Sequence, residues 1–285
     1  MTVCIAAISR GEYIVTASDL MISTYDSSLD GSTIKVQPIH EHWAAMMAAD
    51  DFTQCIPIIE LAARYLLGRA NTLQVTRTAF KRAYQNHLKE VIEDRVLSRF
   101  GMDMETFCKS GKRRFTDAKF NKLFEQIDDV SIGCQFLVYG FDGKRNPHLF
   151  IVDEPGKDGV HDKPGFCTIG SGCYAASGIM MALGQKVDCD LETTIFNVCA
   201  AKFAAEKTQG VGRETYLFAK RYGTNLFFTE RPEELLKKVR WFWEKHGAPK
   251  IPGAAIAMLK DRQFHFPNVV TSSGEPCEES AVRSS

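Results

Sequence analysis

A lysine sits in the middle of an apolar, β-branched stretch, Ser32-Thr33-Ile34-Lys35-Val36, and this limits the folds open to the chain. An ammonium group withdrawn from water is costly unless an opposite charge and hydrogen bonds come with it. Asp19 is the obvious partner, sixteen positions earlier, where it closes the run Tyr13-Ile14-Val15-Thr16-Ala17-Ser18. The fold therefore has to bring the end of that strand onto Lys35. Val3 to Ile8 forms a short apolar run ahead of it, and Ser9-Arg10-Gly11-Glu12 reads as a turn, so the chain opens as a hairpin.

Thr2 stands directly behind Met1. Removal of Met1 leaves a residue with both a hydroxyl nucleophile and a free α-amine, whose unperturbed pKa of ~8 lets it accept the hydroxyl's proton near neutrality. Such a start is common, and most threonines there have no chemical role. Joined to the Asp19–Lys35 pair it gains one: Asp19 compensates Lys35, and the Lys35 charge favours an ionised Thr2 hydroxyl and a neutral amine. Cys4 is a rival nucleophile, but it needs two residues removed ahead of it and lies within the first strand.

In order and spacing these residues resemble the proteasome β-type family, the threonine peptidases among the N-terminal-nucleophile hydrolases. The Asp19-to-Lys35 spacing is that family's, and the Thr2-to-Asp19 spacing is one residue longer, a difference the Ser9–Glu12 turn can absorb. The opening Met-Thr-Val-Cys-Ile-Ala is similar to the bacterial proteasome-like branch, including the Anbu type. Further along, 136–142 and 147–153 read as paired strands, and Thr168-Ile169-Gly170-Ser171-Gly172-Cys173 as a strand end, a Gly-Ser-Gly turn and a helix start. The resemblance makes Ser171 the hydroxyl beside the threonine amine that relays its proton; read from the residues alone, Ser171 caps the helix that follows.

From the same resemblance come several further expectations. The fold is α+β, a four-layer αββα sandwich of the N-terminal-nucleophile hydrolase type. The chain acts as a threonine-type endopeptidase with Thr2, Asp19, Lys35 and Ser171 as catalytic residues, needing no metal and no organic cofactor. Its partners are copies of itself in a ring or helical homo-oligomer and a peptide or unfolded-protein substrate; no Gly-x-x-x-x-Gly-Lys-Ser/Thr motif occurs here, so any ATP-driven unfolding is left to a separate ATPase. Two departures from the family stand out. Ala45-Met46-Met47-Ala48-Ala49 holds no glycine where the family's oxyanion amide lies, so amides of Ala45 to Met47 are expected to serve. The region expected to support Ser171 reads Glu206-Lys207-Thr208-Gln209-Gly210, leaving Glu206 and Thr208 as alternatives. Two other functions remain open: a catalytically silent ring-forming scaffold, and an amidase acting on a small molecule with the same nucleophile.

Charge excludes a field that draws nucleic acid or an anionic membrane, because Lys+Arg and Asp+Glu number 35 each. The basic run Lys109, Lys112, Arg113, Arg114 is expected in a solvated loop. Nine cysteines, an odd number without Cys-x-x-Cys spacing, suit reduced thiols in a cytoplasmic protein better than a disulfide framework or a zinc site. Neither a signal peptide nor a membrane-spanning run is legible.

The rest of the chain alternates blocks of strand and helix. Trp43 to Ala49 predicts a strand, Asp50 or Asp51 a cap for a helix toward Leu67, and Phe80, Tyr84, Leu88, Val91, Ile92 and Val96 the apolar stripe of a longer helix. Residues 101–129 predict an inserted helical excursion. Helices are expected over 191–207 and 232–244, with strands at 214–220 and 225–228. One domain spans 1–270 with its insertion near 100–130, and 271–285 is too polar to fold.

Overall fold

A computed structural model describes residues 2–23, 28–29, 34–226 and 232–247. Contacts divide the chain into two units, Met1–His246 and Gly247–Ser285, and every numbered element below lies in the first. The expected domain end at 270 and the tail 271–285 fall outside the described residues.

The opening hairpin is β1 (Cys4–Ser9) and β2 (Tyr13–Asp19), joined through a turn in which Glu12 N–H donates to Ser9 O at 2.9 Å. Arg10 and Gly11 both take left-handed φ angles, 48° and 66°, the mirror-image turn whose twist matches that of paired strands. Two short segments, β3 (Ile22–Ser23) and β4 (Ser28–Leu29), pair with each other. Then come β5 (Val36–His40), β6 (Trp43–Ala49), α1 (Cys55–Leu66) and α2 (Leu73–Ile92). The expected excursion forms two helices, α3 (Met104–Arg114) and α4 (Asp117–Asp128). The chain continues through β7 (Cys134–Phe141), β8 (Pro147–Asp153), β9 (Lys157–Val160), β10 (Phe166–Ile169), α5 (Cys173–Ala182), α6 (Leu191–Ala205), β11 (Thr215–Arg221), β12 (Thr224–Leu226) and α7 (Pro232–Phe242).

The fold class is α+β, with two five-stranded antiparallel sheets ordered β10-β1-β2-β11-β12 and β5-β6-β7-β8-β9. Their inner faces meet through Ala6, Ile8, Ile14, Met46, Leu137, Tyr139, Leu149 and Ile169, all buried. Helices α5 and α6 cover the outer face of the first sheet, and α1 and α2 that of the second. Period-two alternation explains this arrangement: Met46 and Ala48 face the other sheet, whereas Ala45, Met47 and Ala49 pack under α1 and α2 with Phe80, Tyr84 and Phe136.

The Phe80-to-Val96 stripe bridges two cores. Phe80, Tyr84 and Val91 lie on the sheet, and Ile92 and Val96 join Leu97, Met102, Phe107, Leu123 and Ile127 in a separate cluster under α3 and α4. One sequence expectation changes here, and one strand is new. The basic run lies on α3 and its last turn rather than in a loop, where cations oppose the helix's negative end. β9, rich in charge and glycine, was not legible as a strand; it pairs along the sheet edge, Asp158 opposite Val152, where only one ladder has to be satisfied. Phe227 and Phe228 of the last expected strand lie outside the described residues.

Candidate active site

Three strand ends converge at one edge of the stacked sheets. Thr2 leads into β1, Asp19 ends β2 opposite Thr215 of β11, and Lys35 immediately precedes β5. Antiparallel register brings the first two together: Cys4 pairs with Ser18, and Asp19 N–H donates to Val3 O at 3.3 Å. Lys35 is strapped from the second sheet, its carbonyl accepting from Met47 N–H at 3.1 Å.

Lys35 Nζ lies 2.8 and 2.9 Å from the two Asp19 carboxylate oxygens and donates to Thr2 Oγ1, while Thr2 Oγ1 itself lies against Asp19 Oδ1. Asp19 and Lys35 have no exposed surface and Thr2 only 1%. So buried a pair persists only if the remaining lone pairs are filled. Here Val3 N–H donates to Asp19 Oδ1 at 2.9 Å, and Met21 and Gly212 N–H donate to Oδ2 at 3.2 and 3.3 Å. Phe52 closes the lysine's other side, its ring 5.7 Å from Nζ.

Ser171 joins this group. Thr2 N donates to Ser171 Oγ at 3.2 Å, and Ser171 Oγ donates to Thr2 O at 3.3 Å. The capping role is not taken: the N-cap of α5 is Gly172, which has no side chain to offer, and Ser171 one residue earlier bonds Thr2 instead. Gly170 has to be glycine, since its φ is +87° and an added Cβ would sit 2.4 Å from Thr2 O. The chain thus passes close enough for Gly172 N–H to reach the same carbonyl at 3.1 Å.

A cavity of about 260 Å³ opens beside Thr2, lined by Ala48, Ala49, Asp50, Gly133, Gln135, Asp153, Gly170 and Ser171. The expected oxyanion segment Ala45–Met47 is displaced from it. Met47 N–H is spent on Lys35 O, and it is Ala48 and Ala49 that touch the cavity. By alternation the Ala49 N–H projects on the same side of β6 as that of Met47, beyond the start of β5.

Cys4, the rival nucleophile, is fully buried, and burial pushes its thiol up to about 12 against the opposing pull of Lys35. It is therefore a protonated core residue. Neither Glu206 nor Thr208 supports Ser171: Glu206 accepts from Lys202 Nζ at 2.6 Å and from Arg240 Nη1 and Nη2 at 2.6 and 2.7 Å, and Thr208 lies in a turn closed by Val211 N–H at 3.2 Å. The partners that sequence reasoning missed are Gln135, whose Oε1 accepts from Gly170 N–H at 3.3 Å, and the Gly212 amide. Gln135 had a signal, an amide in an otherwise apolar strand; a backbone donor more than 190 positions from Asp19 had none.

Among the described residues no three His, Cys, Asp or Glu side chains are grouped to hold a metal ion, and no helix is long and apolar enough to cross a membrane. No protein-family model matches the chain, and comparison with curated proteins gives no match.

Proposed function

We propose that the protein is a threonine-type endopeptidase with Thr2 Oγ1 as nucleophile, a four-layer αββα sandwich of the N-terminal-nucleophile hydrolase kind, working inside a self-compartmentalising homo-oligomer. The observation that carries this reading is the Lys35 ammonium, held by both oxygens of a buried carboxylate and donating to the Thr2 hydroxyl. A cation so placed lowers the cost of negative charge on that oxygen.

Cleavage of the Met1–Thr2 bond frees the α-amine. Thr2 Oγ1 then attacks the peptide carbonyl carbon, and its proton passes to the amine, directly or through Ser171 Oγ. The oxyanion is met by the Ala49 amide, a contribution of about 3 kcal/mol for a well-aimed donor. The C–N bond breaks as the amine returns the proton to the leaving nitrogen. Water, giving its own proton to the same amine, hydrolyses the acyl ester and regenerates Thr2. Asp19 holds Lys35 in place through both carboxylate oxygens.

Incubation with a threonine-directed epoxyketone, followed by peptide mapping, tests the reading. The expected adduct is on Thr2, absent in Thr2→Ala and strongly reduced in Lys35→Ala. Labelling indifferent to Lys35 removes its role. An intact mass that retains residue 1 in every preparation favours the silent scaffold, and turnover of acylated amines without turnover of fluorogenic peptides favours the small-molecule amidase.

A further inference from the structure

A second buried lysine lies behind the first. Lys202, on α6, has no exposed surface, yet its ammonium is fully used: Nζ donates to Glu206 Oε1 at 2.6 Å, Gly212 O at 2.8 Å and Arg213 O at 2.8 Å. Glu206 is closed from outside by Arg240 of α7, which also donates to Arg213 O at 3.3 Å and lies 4.0 Å over the Phe203 ring. The backbone so gripped is the one whose Gly212 N–H donates to Asp19 Oδ2 at 3.3 Å.

We propose that Lys202 is a positioning residue for the Thr2–Asp19–Lys35 cluster: its ammonium clamps the Gly212–Arg213 backbone, and the Gly212 amide in turn fixes the carboxylate that holds Lys35. The importance of this cluster rests on the peptidase reading above, but the clamp itself is a matter of geometry. Two carbonyls and one carboxylate oxygen fill the three donors of the ammonium, so the peptide at Gly212 has little freedom to turn. Burial draws the Lys202 ammonium below its ordinary value, Glu206 draws it back, and the Asp19 charge is near enough to contribute. The charged and titratable groups facing this chain of contacts include Cys199 on α6, Glu206 just after it, Arg240 on α7 with Glu244 beyond it, and Asp19, Lys35 and Cys4 at the site. A lysine with no route to solvent and both ends of its reach in the site's supporting loop has a place beyond filling the core.

The test uses the full-length chain as Lys202→Met, which keeps an unbranched side chain without charge, and Lys202→Arg, which keeps the charge. Three quantities are read: hydrogen exchange of the Gly212 amide relative to Val3, whose amide binds the other Asp19 oxygen; the rate of Thr2 modification by the epoxyketone; and the melting temperature. In Lys202→Met, Gly212 exchange is expected to rise about tenfold or more relative to Val3. The modification rate falls by roughly tenfold or more, because a carboxylate that has lost an amide donor no longer holds Lys35 in register with Thr2. Lys202→Arg recovers part of both. A purely structural lysine lowers the melting temperature but leaves the exchange of Gly212 relative to Val3 unchanged, and that result overturns the proposal. If Lys202→Met does not fold, Glu206→Gln and Arg240→Met decide, since loosening the outer members must speed Gly212 exchange in the same sense. Failure of wild type to react at Thr2 counts against the peptidase reading alone, and Gly212 exchange still settles the clamp.

Discussion

Truncating Lys35 leaves Asp19 buried without its cation, and this sets a prediction apart from catalysis. Loss of one partner from a buried ion pair costs about 3–5 kcal/mol, so Lys35→Ala should lower the unfolding free energy by that order in chemical denaturation as well as suppress Thr2 labelling. A change below about 1 kcal/mol would show that water or a neighbour replaces the ammonium. Gly170→Ala should be just as disruptive by a different route, since the left-handed backbone and the 2.4 Å approach to Thr2 O leave no room for a methyl group. Its expected signature is lost Thr2 modification with the core helices intact by circular dichroism. Lys35 and Asp19 were legible because charge inside an apolar run demands a partner. Lys202, within Val198-Cys199-Ala200-Ala201-Lys202-Phe203-Ala204-Ala205, drew no such reading, and both its burial and its backbone partners emerged only from the fold.

The helices and strands carry predictions of their own. Phe80 on α2 is fully buried among Phe136, Phe150 and Tyr84, and Phe80→Ala should cost about 3–5 kcal/mol, measurable by urea unfolding. Leu123→Ala on α4 empties the satellite cluster instead, and should increase hydrogen exchange across α3 and α4 well before it affects β6 or β7. On β8, His148 lies between two acids, its Nδ1 2.7 Å from Asp162 and its Nε2 3.4 Å from Asp142. Burial pulls its pKa down, but the hydrogen bonds and charges of Asp162 and then Asp142 outweigh that and raise it above 6.5. A folded value above the unfolded one stabilises fully below the unfolded pKa and is lost as pH rises through the folded value. His148→Gln should therefore lower the melting temperature more at pH 5.5 than at pH 8.5; an equal loss at both would show that the imidazole is held neutral. Periodicity located α1, α2, α6 and β6–β8 because their buried faces are continuous, whereas the edge strand β9 has no buried stripe to read.

Self-association belongs to the molecule as a whole. Tyr174 and Met181, large side chains on α5, are 88% and 69% exposed. In the peptidase reading they meet copies of the chain, so mass photometry of the native protein should give particles at multiples of 31.9 kDa. A single monomeric species at micromolar concentration would leave the active site without a compartment. The exposed cavity beside Thr2 would then admit substrates with no size limit.

Residue type and spacing were enough to place the opening hairpin, the main strands and helices, and the Asp19–Lys35 pair, whereas Ser171 beside Thr2 was an expectation of the family resemblance alone. The hairpin, the elements and the ion pair each answer to a local demand: an apolar period that must be buried, or a charge that must be compensated. The oxyanion segment, the partners of Glu206 and the Gly212 donor were decided only when the chain folded. Those contacts are made by backbone amides and carbonyls, which every residue carries alike, so no side-chain pattern marks them. Their direction follows from strand parity and from where β5 begins and α6 stops, and those are set by packing one sheet against another and a helix against both β1 and β2.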